Sequence, residues 1–285
     1  MRLKKYILSI LLIKFLLLVS LTGISQIEYL RLSPSQKIIQ RVGATDVTIE
    51  FSRPQTKGRK IFGELVPYGK MWRTGANENT KITFTHKVKI GETEVNSGTY
   101  ALLTKPRKDY WDIYFYTETN NLDIPNPIDS SKLIYLTKVK VEQIENLEET
   151  LVINLYDLTE HSANLGISWE RIRLRIPIEF YTKEVMELVI KEGIRQNISD
   201  FNIAASYYYQ RDIELEKAKY FQELAMELRD EPNPWDYHSY GIILYKLGKT
   251  EEGLSIIRKS LDLSIELHND YLIKENKRII SEWIK

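Results

Sequence analysis

The densest run of chemically capable side chains lies in residues 52–80, which read with Phe51 as FSRPQTKGRKIFGELVPYGKMWRTGANENT. Arg53, Lys57, Arg59, Lys60, Lys70 and Arg73 stand there against Glu64 and Glu78. Guanidinium forks match carboxylate, phosphate or sulfate through paired N–H donors. Trp72 offers a flat face to a sugar ring or a cation. Asn77 both donates and accepts, and Glu78 suits a base or an arginine partner. Long irregular segments inside compact domains tend to be functional. The functional expectation is a surface for an anionic or glycan ligand, formed by Arg53, Lys57, Arg59, Trp72, Arg73, Asn77 and Glu78. The competing expectation is a fold-holding segment in which Arg73 pairs with Glu78 and Trp72 fills core.

Familiar catalytic patterns are missing elsewhere. The four histidines, His86, His161, His238 and His268, are scattered and make no His-Glu-x-x-His spacing. The chain has no cysteine, which excludes a thiol nucleophile, a disulfide framework and Cys-ligated zinc. Neither a Gly-x-Ser-x-Gly elbow nor a phosphate loop nor a dinucleotide fingerprint occurs. A glycosidase-like carboxylate pair would have to come from Glu50, Glu64, Glu78 and Asp112, and nothing singles out two of them. No cofactor and no metal site is expected.

The elements that position these residues come in two kinds. From about residue 27 to 181 the apolar pattern has period two. Val47, Ile49 and Phe51 alternate with Thr48 and Glu50, and Ile82 and Phe84 alternate with Thr83 and Thr85. Residues 110–116, 133–141, 151–155, 165–169 and 172–178 continue the series, and 88–95 around Gly91 reads as a hairpin. Many short strands with turn signals predict an antiparallel sandwich or a barrel-like sheet, of which the sandwich is the expectation taken forward. Near Tyr181 the period changes to that of a helix. Helical runs follow at 184–194, 199–210, 214–229, 234–247, 250–267 and 270–284, with Pro232 and Pro234 separating two of them. Of Tyr207, Tyr208 and Tyr209, one or two should pack, because successive helical residues are about 100° apart.

The tail repeats itself. Ala218 and Ala225 are matched 35 positions later by Gly253 and Ser260. Gly241, Leu244, Gly248, Gly253, Ile257 and Ser260 fall at the offsets of a tetratricopeptide repeat, where small residues let antiparallel helices approach closely. Stacked pairs of this kind present a concave side to a peptide or protein partner; the alternatives are a plain helical bundle and a tail that braces the β domain.

Bulk properties narrow the class further. A net charge of +1, close to balance in both halves, gives no field for nucleic acid. At the N-terminus, Arg2, Lys4 and Lys5 precede an apolar stretch over 7–21 broken by Lys14. Gly23 and Ser25 then sit at −3 and −1 of a cut before Gln26. Residues 1–25 are therefore expected to be a cleaved signal peptide, leaving no membrane span in the mature protein.

The phrases SRPQTKGRKIFGELVPYGKMWRTGANENT and SGTYALLTKP, the latter followed by Trp111, resemble the signature of domain of unknown function 2911. The likeness covers about residues 31–178. It implies a secreted protein of the Bacteroidetes and a helical tail with tetratricopeptide-like spacing, and it carries no established activity. The chain departs from the family pattern after the Trp111 strand, where it reads YTETNNLDIPNPIDSSKLIYL.

The reading as a whole is an α+β protein in two parts: an N-terminal antiparallel β-sandwich over 27–181 and a C-terminal all-α, tetratricopeptide-like domain over 182–285. The expected function is that of an exported, non-catalytic binding or scaffold protein of the periplasm or secreted fraction. An anionic or glycan ligand would meet the β domain, and a peptide or protein the helical tail. The alternatives are a hydrolase of glycans or small anionic substrates, using Arg53, Arg59, Arg73 and Glu78, and a purely structural envelope protein.

Overall fold

The computed structural model describes residues 30–284. The predicted signal peptide lies outside the described residues. The chain divides into two compact units, the first running to Glu179 without Gly43–Thr45 and the second from Phe180 onward with Gly43–Thr45.

The first unit holds ten strands in two sheets. One has the order β1 (Ser35–Val42), β2 (Thr45–Ser52), β3 (Lys81–Phe84), β6 (Gly98–Pro106), β7 (Tyr110–Tyr116) and β8 (Leu133–Lys140). The other has the order β5 (Thr93–Val95), β4 (Val88–Ile90), β10 (Ser162–Phe180) and β9 (Glu142–Tyr156). The pairs β2–β3, β3–β6, β6–β7, β7–β8, β4–β5 and β9–β10 are antiparallel.

Period-two patterning places the core directly. Val47, Ile49 and Phe51 of β2 are buried while Thr48 and Glu50 are half-exposed. In β6 the run Tyr100–Ala101–Leu102–Leu103–Thr104 is buried throughout. The two faces of this central strand have different covers. Leu102 sits opposite Phe115 of β7, on which Tyr100 stacks. Ala101 and Leu103 pack with Tyr116 under Met71, Ile124, Ile128 and Leu133. The loop before β8 thus roofs one face of the sheet.

Three features differ from the sequence expectation. The central strand β6 is not among the expected runs, since its buried stretch Tyr100–Thr104 shows no period-two alternation. β1 was not anticipated, and its burial pattern explains why: of SQKIIQRV only Val42 is buried, so the strand carries almost no core signal. The runs 165–169 and 172–178 form one strand, not two. β10 bends through irregularities on both sides of Glu170, whose backbone adopts φ 59°. A bulge leaves the chain paired while re-aiming its side chains, which a sequence pattern reads as a break.

The second unit is six helices: α1 (Thr182–Gly193), α2 (Ile198–Gln210), α3 (Leu215–Glu227), α4 (Pro234–Lys246), α5 (Thr250–Glu266) and α6 (Asp270–Trp283). Asparagines start three of them. The side chains of Asn197, Asn233 and Asn269 accept from N–H groups of Asp200, Trp235 and Leu272, satisfying donors the first turn leaves open. Pro234 follows Asn233 at the first helical position, where its fixed φ suits the turn. Tyr207 and Tyr208 are buried and Tyr209 is half-buried, as helical geometry requires.

The small residues of the repeat are contact residues. Ala218, Ala225 and Ser260 are fully buried. A Cβ on Gly253 would lie 2.8 Å from the Gly241 carbonyl oxygen, and one on Gly241 would lie 2.7 Å from Ile257. α4 and α5 therefore cross backbone to backbone. A buried polar chain ties α6 to them: Asn276 Nδ2 donates to Ser260 Oγ at 2.8 Å, and Ser260 Oγ donates to the Pro234 carbonyl at 2.7 Å. Among the described residues no helix is long and apolar enough to cross a membrane.

Candidate functional site

The arginine-rich segment is tied at three places, and these ties fix where its side chains point. Gln55 bridges to Thr150 of β9, with Thr56 N donating to Glu149 O at 2.8 Å and Leu151 N to Pro54 O at 2.9 Å. The N–H groups of Ile61 and Phe62 lie 3.3 and 3.4 Å from the Glu170 carboxylate at the β10 bulge. Trp72 then pairs with Thr104 of β6 through bonds of 2.7 and 2.9 Å. The segment so crosses from the second sheet to the first, and four aromatic rings fill the crossing. Phe62 packs edge-on against Trp111 of β7 at 5.0 Å and Trp169 of β10 at 6.0 Å. Trp72 stacks on Trp169 at 5.9 Å and 18° and meets Trp111 edge-on at 5.9 Å.

A cleft of about 340 Å³ opens beside this cluster. Arg59, Trp72 and Arg73 line it, together with Ser33, Leu65, Met71, Asp123, Ile124 and Trp169 among others. The backbone itself holds Arg59: Nε donates to Thr56 O at 2.9 Å and Nη2 to Gln55 O at 2.7 Å. Arg73 Nη1 lies 3.0 Å from Asp123 Oδ1 and 3.3 Å from Leu122 O. Both arginines are therefore oriented before any ligand arrives, which lowers the ordering cost of binding.

The other predicted residues go elsewhere. Arg53 spends its Nε on Leu151 O at 2.9 Å, which fastens the segment to β9. Lys57 is exposed, and its N–H donates to Glu149 Oε1 at 2.8 Å. Asn77 takes φ 58°, and its amide donates to Ser33 O and Ser52 Oγ, both at 3.1 Å. Glu78 lines a separate cleft of about 260 Å³ with Ser52, Lys37 and Lys81, and its partner is Arg31 at 2.5 Å. The expected Arg73–Glu78 pair does not form, because each has a nearer opposite charge. Nor does the structure bring Glu78 to the cleft of Arg59 and Arg73, where the hydrolytic reading needs it.

The sequence reading missed Asp123 and Trp169. Asp123 belongs to a loop with no strand or helix pattern, and Trp169 sits unremarkably in a strand run. Only the β10 bulge and the loop before β8 deliver them.

Arg31 holds the Glu78 carboxyl below the usual carboxylate range, chiefly by its hydrogen bond and then by the Glu78 backbone N–H. Glu149 is lowered in the same way by Thr56 Oγ and then Lys57 N–H. A depressed folded-state pKa gives stability that is present above the unfolded value and lost as pH falls through the folded one. Glu78 is 40% exposed, so solvent screens much of its share. Arg31→Gln is expected to raise the Glu78 titration midpoint toward the ordinary value while leaving that of Glu149 in place. NMR titration of both carboxyls checks this, and a Glu78 midpoint that stays put would remove Arg31 as the cause.

The second unit has its own groove, of about 960 Å³, within α1 to α3. Ile190, Ile194, Phe201, Phe221 and Leu224 give it apolar walls, and Lys191, Lys217, Glu187 and Glu227 also line it. Among the described residues no group of three or more His, Asp or Glu side chains is placed to hold a metal ion.

No curated protein and no solved structure matches the chain. One family model does, that described as protein of unknown function (DUF2911), over residues 33–178. Those residues hold every strand but the last turn of β10 and the whole of the arginine cleft, and span just over half of the chain: the protein belongs to this family.

Proposed function

We propose that this is an exported, non-catalytic binding protein whose β unit takes a small anionic ligand in the Arg59–Trp72–Arg73 cleft. The supporting observation is the cleft itself: two pre-oriented guanidinium groups beside two tryptophans in a depression of about 340 Å³. Ligand sites are concave, mostly apolar and carry a few convergent polar groups. The helical unit is read as tetratricopeptide-like, with its apolar groove open to a peptide or protein segment. Export to the periplasm or the secreted fraction is part of this reading, and its support is the N-terminal leader pattern.

Trp72 lines the cleft and reports on it. Titration of the purified protein with a panel of small anions is expected to change its tryptophan fluorescence saturably. Arg73→Gln should weaken that response about tenfold or more, since a charge-assisted hydrogen bond contributes about 1.5–3 kcal/mol. A panel without a saturable response, or a response indifferent to Arg73, would refute the reading.

A further inference from the structure

The composition of the arginine cleft narrows its ligand beyond "anionic or glycan". Three charged side chains line it: Arg59, Arg73 and Asp123. Their sum is one positive charge, which balances a monoanion and leaves a phosphate dianion half unmatched. The donor geometry agrees. Arg73 uses Nη1 on Asp123 and Leu122 O. Among the described residues nothing takes up its Nε and Nη2, the edge that grips a carboxylate by two parallel bonds. Arg59 has spent that same edge on the backbone.

The walls decide the body of the ligand. Leu65, Val66, Met71, Ile124, Trp72 and Trp169 are apolar. Both indole N–H groups are engaged, Trp72 Nε1 with Gly75 O at 3.2 Å and Trp169 Nε1 with Glu149 O at 3.4 Å. Ser33 is then the one neutral polar side chain of the lining with capacity to meet a hydroxyl. A sugar would set several hydroxyls against apolar walls with Ser33 as the one neutral partner, and each hydroxyl buried there without a hydrogen bond costs about 1–3 kcal/mol. A flat apolar ring costs nothing of the kind and gains contact with the half-buried Trp72, Met71 and Ile124.

We infer that the cleft binds an aryl monocarboxylate, its carboxylate on Arg73 and its ring among Trp72, Met71 and Ile124, and that it discriminates against sugars and phosphates. This rests on the binding reading given above and names the ligand class of the same site.

The test is calorimetric titration of the purified protein with naphthoate, glucuronate and phenyl phosphate. Naphthoate is expected to bind about tenfold or more tighter than either. Arg73→Lys keeps the charge and loses the two-pronged edge, so it should cost naphthoate most of its advantage; a merely electrostatic role would leave it intact. Asp123→Asn is nearly isosteric and raises the cleft to two positive charges. It should move the preference several-fold toward phenyl phosphate. If glucuronate binds as well as naphthoate and depends on Arg73, the aryl carboxylate is wrong while the anion-binding reading survives. If none of the three binds to a folded protein, both fall.

Discussion

Trp169→Ala is expected to destabilise the β unit by about 3–5 kcal/mol, the range for truncating a large buried aromatic side chain. The residue is 2% exposed. Its ring stacks on Trp72, takes the edge of Phe62, and hands its N–H to the Glu149 carbonyl. That carbonyl also receives Thr56 N–H, so the indole closes the site where residues 54–57 join β9. Alanine would leave a cavity in contact with two other rings and release Phe62 and Trp72 at once. For a unit of this size the melting midpoint should fall by on the order of 10 °C. Trp72→Ala is the internal comparison. That ring is half-buried, so less apolar contact is lost and the cost should be clearly smaller. Denaturant melts of the two variants decide the matter. A Trp169 effect below about 1 kcal/mol, or one no larger than that of Trp72, would show that the aromatic cluster does not hold the segment between the sheets.

Local patterning explains what could be seen in the sequence. The strand alternation around Val47, Ile49, Ile82 and Phe84 is a local signal, because each strand carries its own pattern of covered and open positions. The six helical runs were legible for the same reason, helped by Pro232 and Pro234. The structure sorts the polar residues of 52–80 into two groups. Arg53, Lys57 and Asn77 are engaged in fastening the chain through carbonyl, carboxylate and hydroxyl partners. Arg59, Trp72 and Arg73 line the cleft.

What stayed hidden depends on distant partners. Glu78 finds Arg31 from 47 residues away, and Arg73 finds Asp123 and Leu122 in a loop beyond β7. No spacing rule in the sequence announces such pairs. The bend of β10 at Glu170 was equally illegible. Its cause is tertiary: the carboxylate sits beneath two N–H groups of the arginine segment, which the strand pattern alone does not contain.

In the helical unit the largest expected effect comes from adding atoms rather than removing them. Gly253→Leu should cost about 3 kcal/mol or more, at or beyond the upper end for overpacking a tight contact. Helix propensity argues the opposite sign, since glycine inside a helix is about 1 kcal/mol worse than alanine and leucine is a good helix former. Packing must therefore overcome that gain before any loss is seen. It does so because of what the new Cβ would meet: the Gly241 carbonyl oxygen at 2.8 Å and the Tyr245 nitrogen at 3.1 Å, both backbone atoms of α4 that cannot swing aside. The reciprocal position makes the contrast. A Cβ at Gly241 meets first the Ile257 side chain, 2.7 Å away, which is not backbone and can shift a little, with Gly253 O next at 3.1 Å. Gly241→Ala should accordingly be the milder change, and Gly253→Ala should still destabilise despite its better propensity. Thermal melts followed by helical circular dichroism give both numbers. If Gly253→Ala raised the midpoint, the backbone crossing of α4 and α5 would not be what sets these glycines, and the 35-residue match of Ala218 with Gly253 would lose its packing rationale.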